Sequence, residues 1–598
     1  MVSARTSTNR RVMFAAIFVV VVLIAFVIRL FDIQVVRAQD HIDDSLRIGG
    51  FVGSDTLFGV RGSIVDDQGN ALAQSTIRYR VAVDPVLAGD INRLDESGNA
   101  YVESWGHLAG RIGDILDMPG PDIERAVAES LDENPANRWL PLKADVSTQQ
   151  YRDLVALGAP MLSMSAEKSR SYLNGAVGGN LVGFMSSDDT PLAGYELLEN
   201  QCLQETDGKV EYQKSGDHDL DVMIPGTMRE TPPVDGGTLH LTIDSDLSWY
   251  LLQMLKEEVE TQRAQSGTIT VLEVATGDLK AAVEYPTLDP NDPTAADPAD
   301  RGSRIFSTTF EPGSTFKAVT TATLLDQGKA TPLTQVTASS HETFPNGAAV
   351  GDAFSHPAYN YTLTGAMIDS SNVAMSKIGD LVDPQTRHDY LEAFGVGTLS
   401  SIEFIGEEPG ILHPAENWDN QTHYTTTFGQ TFTTTIPQVL SAYQTLANGG
   451  VKQPVHIVDG CELPDGTIEK ADLPDGERVV SEEAAQQTVE ILENVSAQGT
   501  LADQTAVPGY RIAAKTGTAQ KSDGQGGYKR GVFFTSLIGM APAEDPQYIV
   551  MVTLDEPRRV TSSAATAPAF QKAMTQVLKT YRVPPSEEPF EPLPKFTD

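Results

Sequence analysis

Phe310-Glu311-Pro312-Gly313-Ser314-Thr315-Phe316-Lys317 is the stretch on which the fold and the chemistry of this chain turn. Pro312-Gly313 signals a turn ahead of a helix start. Phe316, Val319, Leu324 and Leu325 can bury one side of that helix before Gly328 ends it. Positions i and i+3 share a helix face, so Lys317 can stand beside the Ser314 hydroxyl. A serine hydroxyl is a weak nucleophile until a base takes its proton, and a helix start adds amides and the positive end of a dipole. Alone, the tetrapeptide says little. Ser165-Ala166-Glu167-Lys168 has the same spacing and no assigned role, and a serine after Pro-Gly is commonly a helix cap. The order of the later motifs decides. Ser370-Ser371-Asn372 and then Lys515-Thr516-Gly517-Thr518 fall in one domain-sized segment with Ser314. Each short pattern is weak by itself; the ordered triple is specific.

Working outward, Thr238 to Ile243 reads as a strand and Asp246 to Arg263 as an amphipathic helix, with Leu247, Leu251, Leu255 and Val259 on one stripe. Thr268 to Val274 and Leu279 to Val283 are strands joined by the hairpin signal Thr276-Gly277-Asp278. Pro286 to Asp300 is a surface loop. Strands resume late: Tyr510 to Ala514 leads into the Lys515 motif, followed by Val532 to Met540 and Tyr548 to Leu554. A last helix carries Phe570, Met574, Val577, Leu578 and Tyr581. One sheet therefore takes strands from both ends of the segment while helices fill its middle. The fold class is α/β (α+β), a mostly antiparallel sheet flanked by helices.

Upstream, Arg61 to Ala73 reads as strand, turn at Asp67 to Asn70, and strand; Tyr79 to Val83 alternates like another strand. Helices are expected near Val102 to Leu116 and Pro121 to Leu131. No nucleophile–base pair suggests itself there, and the segment reads as an elongated mixed α/β pedestal. Val12 to Ile28 is an unbroken apolar run of 17 residues preceded by Arg5, Arg10 and Arg11. That length fits a short membrane span, and the arginines keep the N-terminal arm in the cytoplasm. A cleaved signal is disfavoured, because Val36-Arg37-Ala38 lies well past the apolar run. The expected order is a cytoplasmic arm 1–11, a transmembrane anchor 12–31, a pedestal 39–231, a catalytic domain 235–582 and a proline-rich tail 583–598, extended or disordered.

A formal charge of −38, from 81 acidic and 43 basic residues, argues against nucleic-acid binding, which wants a basic face. The scattered histidines form no metal-site spacing, and no cofactor is implied. Two cysteines, Cys202 and Cys461, make no disulfide framework. An oxidising compartment would allow them to pair, but the balance is against it.

These motifs in this order resemble those of class B penicillin-binding proteins, for which S-x-x-K, S-D-N and K-T-G are signatures. The resemblance spans nearly the whole chain. It includes the anchor, Arg61 to Ala73, Gly194-Tyr195-Glu196, Leu446-Ala447-Asn448-Gly449-Gly450, Gly499-Thr500 and Gly539-Met540-Ala541-Pro542. Phe31-Asp32-Ile33-Gln34-Val35-Val36 and the short pedestal look most like the division-specific septal subgroup of actinobacterial type. Three positions depart from the usual pattern: Ala514 before Lys515 where glycine is common, Thr431 in Gly429-Gln430-Thr431 where G-Q-G is common, and the linker Gln204 to Gly208.

The resemblance implies a penicillin-binding/β-lactamase-like transpeptidase domain that crosslinks peptidoglycan stem peptides ending in D-Ala-D-Ala, and that binds β-lactam antibiotics covalently. In it Ser314 is the nucleophile, Lys317 the base when neutral, Ser370 the proton relay to the leaving amine, and Asn372 the orienting amide. Lys515 supplies positive potential, Thr516 and Thr518 meet the substrate carboxylate, and Gly517 leaves the strand bare where the peptide docks. The backbone N–H groups of Ser314 and Thr518 form the oxyanion hole. Glu311 and Asp369 are expected to be structural, and Tyr424, Thr425 and Thr426 to line the cleft. The anchor and pedestal imply a polytopic SEDS-type glycosyltransferase and other division proteins as partners. Two alternatives stay open: a D,D-carboxypeptidase that passes the acyl group to water, and a non-catalytic division scaffold.

Overall fold

Strict alternation along the late strands sorts their side chains into two layers. In Tyr548–Asp555, Ile549 and Met551 face one core while Val550, Val552 and Leu554 face the other. In Tyr528–Ala541, Ile538 and Met540 oppose Leu537 and Ala541 in the same way. With side-chain period 2, both faces of such a sheet must be covered. The computed structural model, which describes residues 3–37, 52–94, 98–213, 228–524, 527–587 and 589–597, shows how. Five antiparallel strands run in the order Leu279–Tyr285, Ser266–Glu273, Tyr548–Asp555, Tyr528–Ala541, Ala513–Ser522. One face is covered by the helices Ser245–Gln262 and Ala567–Thr580, through Leu247, Leu251, Leu255, Phe570, Met574 and Val577. The other packs on the helical middle, including Lys317–Asp326, Ile436–Ala447 and Glu482–Gln498. The Lys515 strand lies at the sheet's edge.

Contacts divide the chain into two units, Met1–Gly59 with Glu205–Asp235, and Val60–Gln204 with Gly236–Asp598. The first holds the helix Ser3–Phe31, of which Arg10–Phe31 is apolar and long enough to cross a membrane (22 residues, mean hydropathy 3.0). It also holds a three-stranded antiparallel sheet, Val52–Leu57, Gly208–Gln213 and Arg229–Thr231. Of the expected pedestal, residues 39–51, 95–97 and 214–227 lie outside the described residues.

In the second unit, Ile64–Val65 and the strand beginning at Ala71 flank the expected turn, but the second strand runs unbroken to Val83, absorbing the separate strand expected at Tyr79. Its pairing with Leu162–Tyr172 along eleven registered positions holds it straight. Helix Trp105–Leu116 starts three residues later than expected because Ser104 caps it, accepting the His107 N–H, while Ala100–Glu103 is a strand. With Gly120–Glu133 and Thr148–Leu157 it buries a third core under the long strand. Thr238–Leu241 joins this sheet, parallel to Ile64–Val65 and antiparallel to Val458–Glu462.

That register corrects the expectation for the cysteines. Leu239 stands opposite Cys461, and Gly237 donates to the Cys202 carbonyl at 2.7 Å, so Cys202 and Cys461 meet and form a disulfide across a separation of 259 residues. The proline-rich segment is likewise extended but not loose: Ser586, Leu593, Lys595 and Thr597 hydrogen-bond to Gly509, Asn494, Thr362 and Asn360 of the same unit.

The two motifs outside the catalytic triple explain each other. Glu196 is fully buried between Arg61 and Arg170, at 2.8 and 2.7 Å. Arg61 also donates to the Glu196 carbonyl and to Asn200 Oδ1, and Arg170 to the Gly62 carbonyl and Ser75 Oγ. Removing the carboxylate strands two cations in low dielectric. Glu196→Ala is therefore expected to cost about 3–5 kcal/mol, read as a lowered urea midpoint. An unchanged midpoint would contradict a structural role for the trio.

Candidate active site

The Ser314 turn is held from three sides. Gly313–Phe316 is a 3-10 turn leading directly into the helix Lys317–Asp326. Gly313 has φ +57° and donates its N–H to the Gly429 carbonyl at 2.8 Å. A side chain on Gly429 would collide with the Gly313 carbonyl, so the approach requires glycine at 429, while the left-handed backbone favours it at 313. On the third side lies the edge strand: the position a Gly313 Cβ would take is 3.7 Å from the Thr518 carbonyl oxygen. The turn thus sets the Ser314 and Thr518 backbones next to each other.

The two motif lysines converge on the second motif. Lys317 is 0% exposed and donates to the Ser370 carbonyl (2.5 Å), Ser370 Oγ (3.2 Å) and Asn372 Oδ1 (2.7 Å). Lys515 is 1% exposed and donates to the same Ser370 Oγ at 2.9 Å. Burial is the main force pulling both amines below the ordinary lysine value. Lys515 falls to about 7. For Lys317 the charge of Lys515 adds to the drop, and Asp352 opposes it. A lysine that loses its proton this readily can act as a base at neutral pH.

Ser370 sits in the left-handed region at φ +54°, a conformation that costs a non-glycine residue about 1–3 kcal/mol. It lies between the helix Leu363–Ile368 and the helix Asn372–Gly379, which Ser371 caps by accepting the Ala374 N–H. Asp352, which has no motif around it, completes this junction. Its carboxylate accepts the Asn372 and Val373 N–H groups (2.5 and 3.0 Å) and the Ser371 hydroxyl (2.7 Å), and pairs with His356 at 2.9 Å. Its only sequence signal is a buried-type Gly-Asp after a short strand, which is too common to read.

Gly517 and the segment Tyr424 to Thr426 are seated differently from expectation. Gly517 is buried; a Cβ there would stand 2.4 Å from Ser536 Oγ and 3.0 Å from Thr315 Cγ2. Its missing side chain lets the strand approach the Ser314 turn rather than baring it for a peptide. Thr516 is half-buried, and Thr518 is exposed with its hydroxyl accepting the Ser563 N–H. Asn372 is held at both ends, its Nδ2 donating to the Gly351 carbonyl at 3.0 Å. Tyr424 is buried with its ring stacked 3.9 Å from Phe344, and Thr425 and Thr426 are buried, so all three are packing residues. Glu311 is structural as expected: it accepts the Tyr528 hydroxyl and the Thr431 N–H, joining the Ser314 turn to the hairpin after the Lys515 strand. Thr431 stands at φ +68°, where glycine would be relaxed. The methyl of Ala514 is taken up by Gly539 directly across the pair.

Residues 267–575 match the penicillin binding protein transpeptidase domain, and residues 57–241 match the penicillin-binding protein dimerisation domain. The chain is 30% identical to penicillin-binding protein PbpB of Mycolicibacterium smegmatis, over 96% of this chain and 91% of that one. It is 27% identical to the peptidoglycan D,D-transpeptidase FtsI of Escherichia coli K12, over 88% and 84%. Among solved structures, penicillin binding protein 3 of Mycobacterium tuberculosis complexed with ampicillin superposes with a TM-score of 0.68 at 25% identity, covering 91% of this chain and all of that one.

Proposed function

Because this chain belongs to the class B penicillin-binding protein transpeptidases, we propose that it is a membrane-anchored peptidoglycan D,D-transpeptidase working through an acyl-enzyme on Ser314 in septal wall synthesis. The convergence of two buried lysines on Ser370 Oγ, beside the Ser314 turn, carries this reading. Ser314 Oγ attacks the carbonyl of the penultimate D-Ala and its proton passes to neutral Lys317. The Ser314 and Thr518 N–H groups hold the oxyanion, an interaction worth about 3–4 kcal/mol per donor. The peptide C–N bond breaks, and the proton reaches the leaving amine through Ser370. An acceptor amine then attacks the ester carbonyl and gives a proton to Lys317, which passes it to Ser314 Oγ as the ester C–O bond breaks and the serine is released. Asn372 positions Lys317 and keeps one amide hydrogen for the substrate, while Thr516 and Thr518 face its carboxylate. The outer edge of the Ala513–Ser522 strand suits pairing with a peptide backbone.

β-Lactams take the same route and stop at the ester. The disulfide supports an oxidising, extracytoplasmic position for the catalytic unit, and Arg5, Arg10 and Arg11 support a cytoplasmic N-terminus. We assign 1–11 to the cytoplasmic arm, 12–31 to the anchor, 39–231 to the pedestal, 235–582 to the transpeptidase domain and 583–598 to the proline-rich segment.

Intact-mass analysis of the full-length protein in detergent after benzylpenicillin is the test. One stable adduct, mapped to Ser314, is expected; no adduct on folded protein would favour the scaffold, and rapid turnover a β-lactamase. Feeding a stem peptide with an amine acceptor separates transfer from hydrolysis, since a carboxypeptidase releases only D-Ala and uncrosslinked product. The SEDS-type glycosyltransferase and division partners belong to the anchor and pedestal. Swapping residues 12–31 for an unrelated transmembrane anchor is expected to abolish co-purification of such a partner while acylation persists; a retained partner would move the contact to the pedestal or elsewhere.

A further inference from the structure

The segment after the last helix ends on the second motif. Residues 593–597 run beside the strand Tyr359–Thr362 and the helix Leu363–Ile368 that leads into Ser370. The Thr362 N–H and hydroxyl donate to the carbonyls of Lys595 and Pro594, at 3.1 and 2.7 Å, and Thr597 donates to the Asn360 carbonyl at 2.9 Å. Asn494 and Gln498, on the helix Glu482–Gln498, hold the backbone of Leu593. The Phe596 ring packs against Tyr359 and Tyr361, with centroids 5.2 and 5.3 Å apart. Gly365 makes room for the crossing: a Cβ there would stand 1.8 Å from the Lys595 carbonyl oxygen.

What this docking delivers is a charge. Lys595 Nζ lies 2.5 Å from Asp369 Oδ1, while the other carboxylate oxygen accepts the hydroxyl of fully buried Tyr361 at 3.0 Å. Asp369 immediately precedes Ser370, whose backbone is held at φ +54°. A left-handed serine persists only where its surroundings over-determine it. Tyr361 and Lys595 grip the residue before it from two sides, and Asp352 grips the three residues after it.

We propose that Lys595, delivered by the docked proline-rich segment, is a positioning residue that fixes Ser370 under Lys317 and Lys515 through Asp369. It acts on the geometry of the relay and touches no substrate. The proposal rests on the acyl-transfer reading of this site. It differs from that reading in its readouts.

The full-length protein in detergent is compared with Lys595→Ala, Lys595→Arg, Gly365→Ala and a variant lacking residues 593–598. In Lys595→Ala the maximal rate of acylation by benzylpenicillin is expected to fall about tenfold, a loss typical of slight misplacement. The half-saturating concentration should stay the same. Lys595→Arg should restore the rate to within about twofold, because its guanidinium reaches the same carboxylate. The truncation and Gly365→Ala, which expels the segment, should match Lys595→Ala, and Asp369→Asn should add nothing to it. Hydrogen exchange of the 366–374 amides should speed up in every variant that loses the ion pair. Wild-type acylation rates in folded Lys595→Ala, a loss confined to half-saturation, or unchanged exchange would each overturn the proposal. A wild type that takes no adduct, with exchange responding as expected, would instead remove the acyl-transfer reading and leave the positioning contact standing.

Discussion

Lys317→Met is expected to slow acylation of Ser314 by about 10²–10⁴-fold, the range for loss of a positioned general base. Methionine matches the length of the lysine stem and suits a site that is 0% exposed, so the fold should survive. The pH profile carries the mechanism. Acylation should rise as Lys317 loses its proton, and burial and the neighbouring Lys515 charge place that step well below the usual 10.5. Removing the Lys515 charge with Lys515→Met should move the inflection of the remaining activity upward, because one of the two influences that lower Lys317 is gone and only burial still opposes Asp352. A wild-type inflection near 10.5, or full activity in Lys317→Met, would rule Lys317 out as the base. Stability follows the same groups. The unfolded chain keeps Lys515 protonated to about 10.5, whereas the folded chain releases that proton at about 7. Between those values the unfolded state binds more protons, so stability rises with pH across the window. Melting temperatures of the wild type from pH 7 to 9 should climb more steeply than those of Lys515→Met.

The Cys202→Ser/Cys461→Ser double variant is expected to lose about 3–5 kcal/mol, the chain-entropy effect of opening a very long loop. The bond ties residues 259 apart, and the unfolded chain recovers that freedom when it is cut. Urea unfolding of oxidised and reduced wild type beside the double variant measures it. The reduced protein and the variant should share a midpoint well below the oxidised protein, and coincident midpoints for all three would show that the bond contributes nothing.

Legibility in the sequence divides along physical lines. The meeting of Lys317 and Lys515 at Ser370 was legible because each short motif is local and the motifs share one domain-sized segment. The late strands were legible as short continuous apolar runs, since Tyr548 to Leu554 is buried on both faces. The cysteine pair was not, because it depends on the register of Thr238–Leu241 against Val458–Glu462, a long-range fact. Asp352 was hidden for a similar reason: its partners at the second motif lie 19 to 21 positions away. Gly517 was seen as necessary for the wrong reason, because a sequence does not say which neighbour fills the space. Proline content made residues 584 to 597 look unattached, while the groove that receives them is cut by a glycine far upstream, Gly365.

The central sheet also sets a timetable for synthesis. Ser266–Glu273 pairs with Tyr548–Asp555, so an inner strand made early waits for one made near the end of the chain. Until then its backbone donors and acceptors are open to other strands. Such distant pairings fold slowly and leave the intermediate prone to aggregation. The nascent chain therefore carries Ser314 and Lys317 long before it carries an enzyme, and the Ser314 turn meets the Ala513–Ser522 strand only when the last strands arrive.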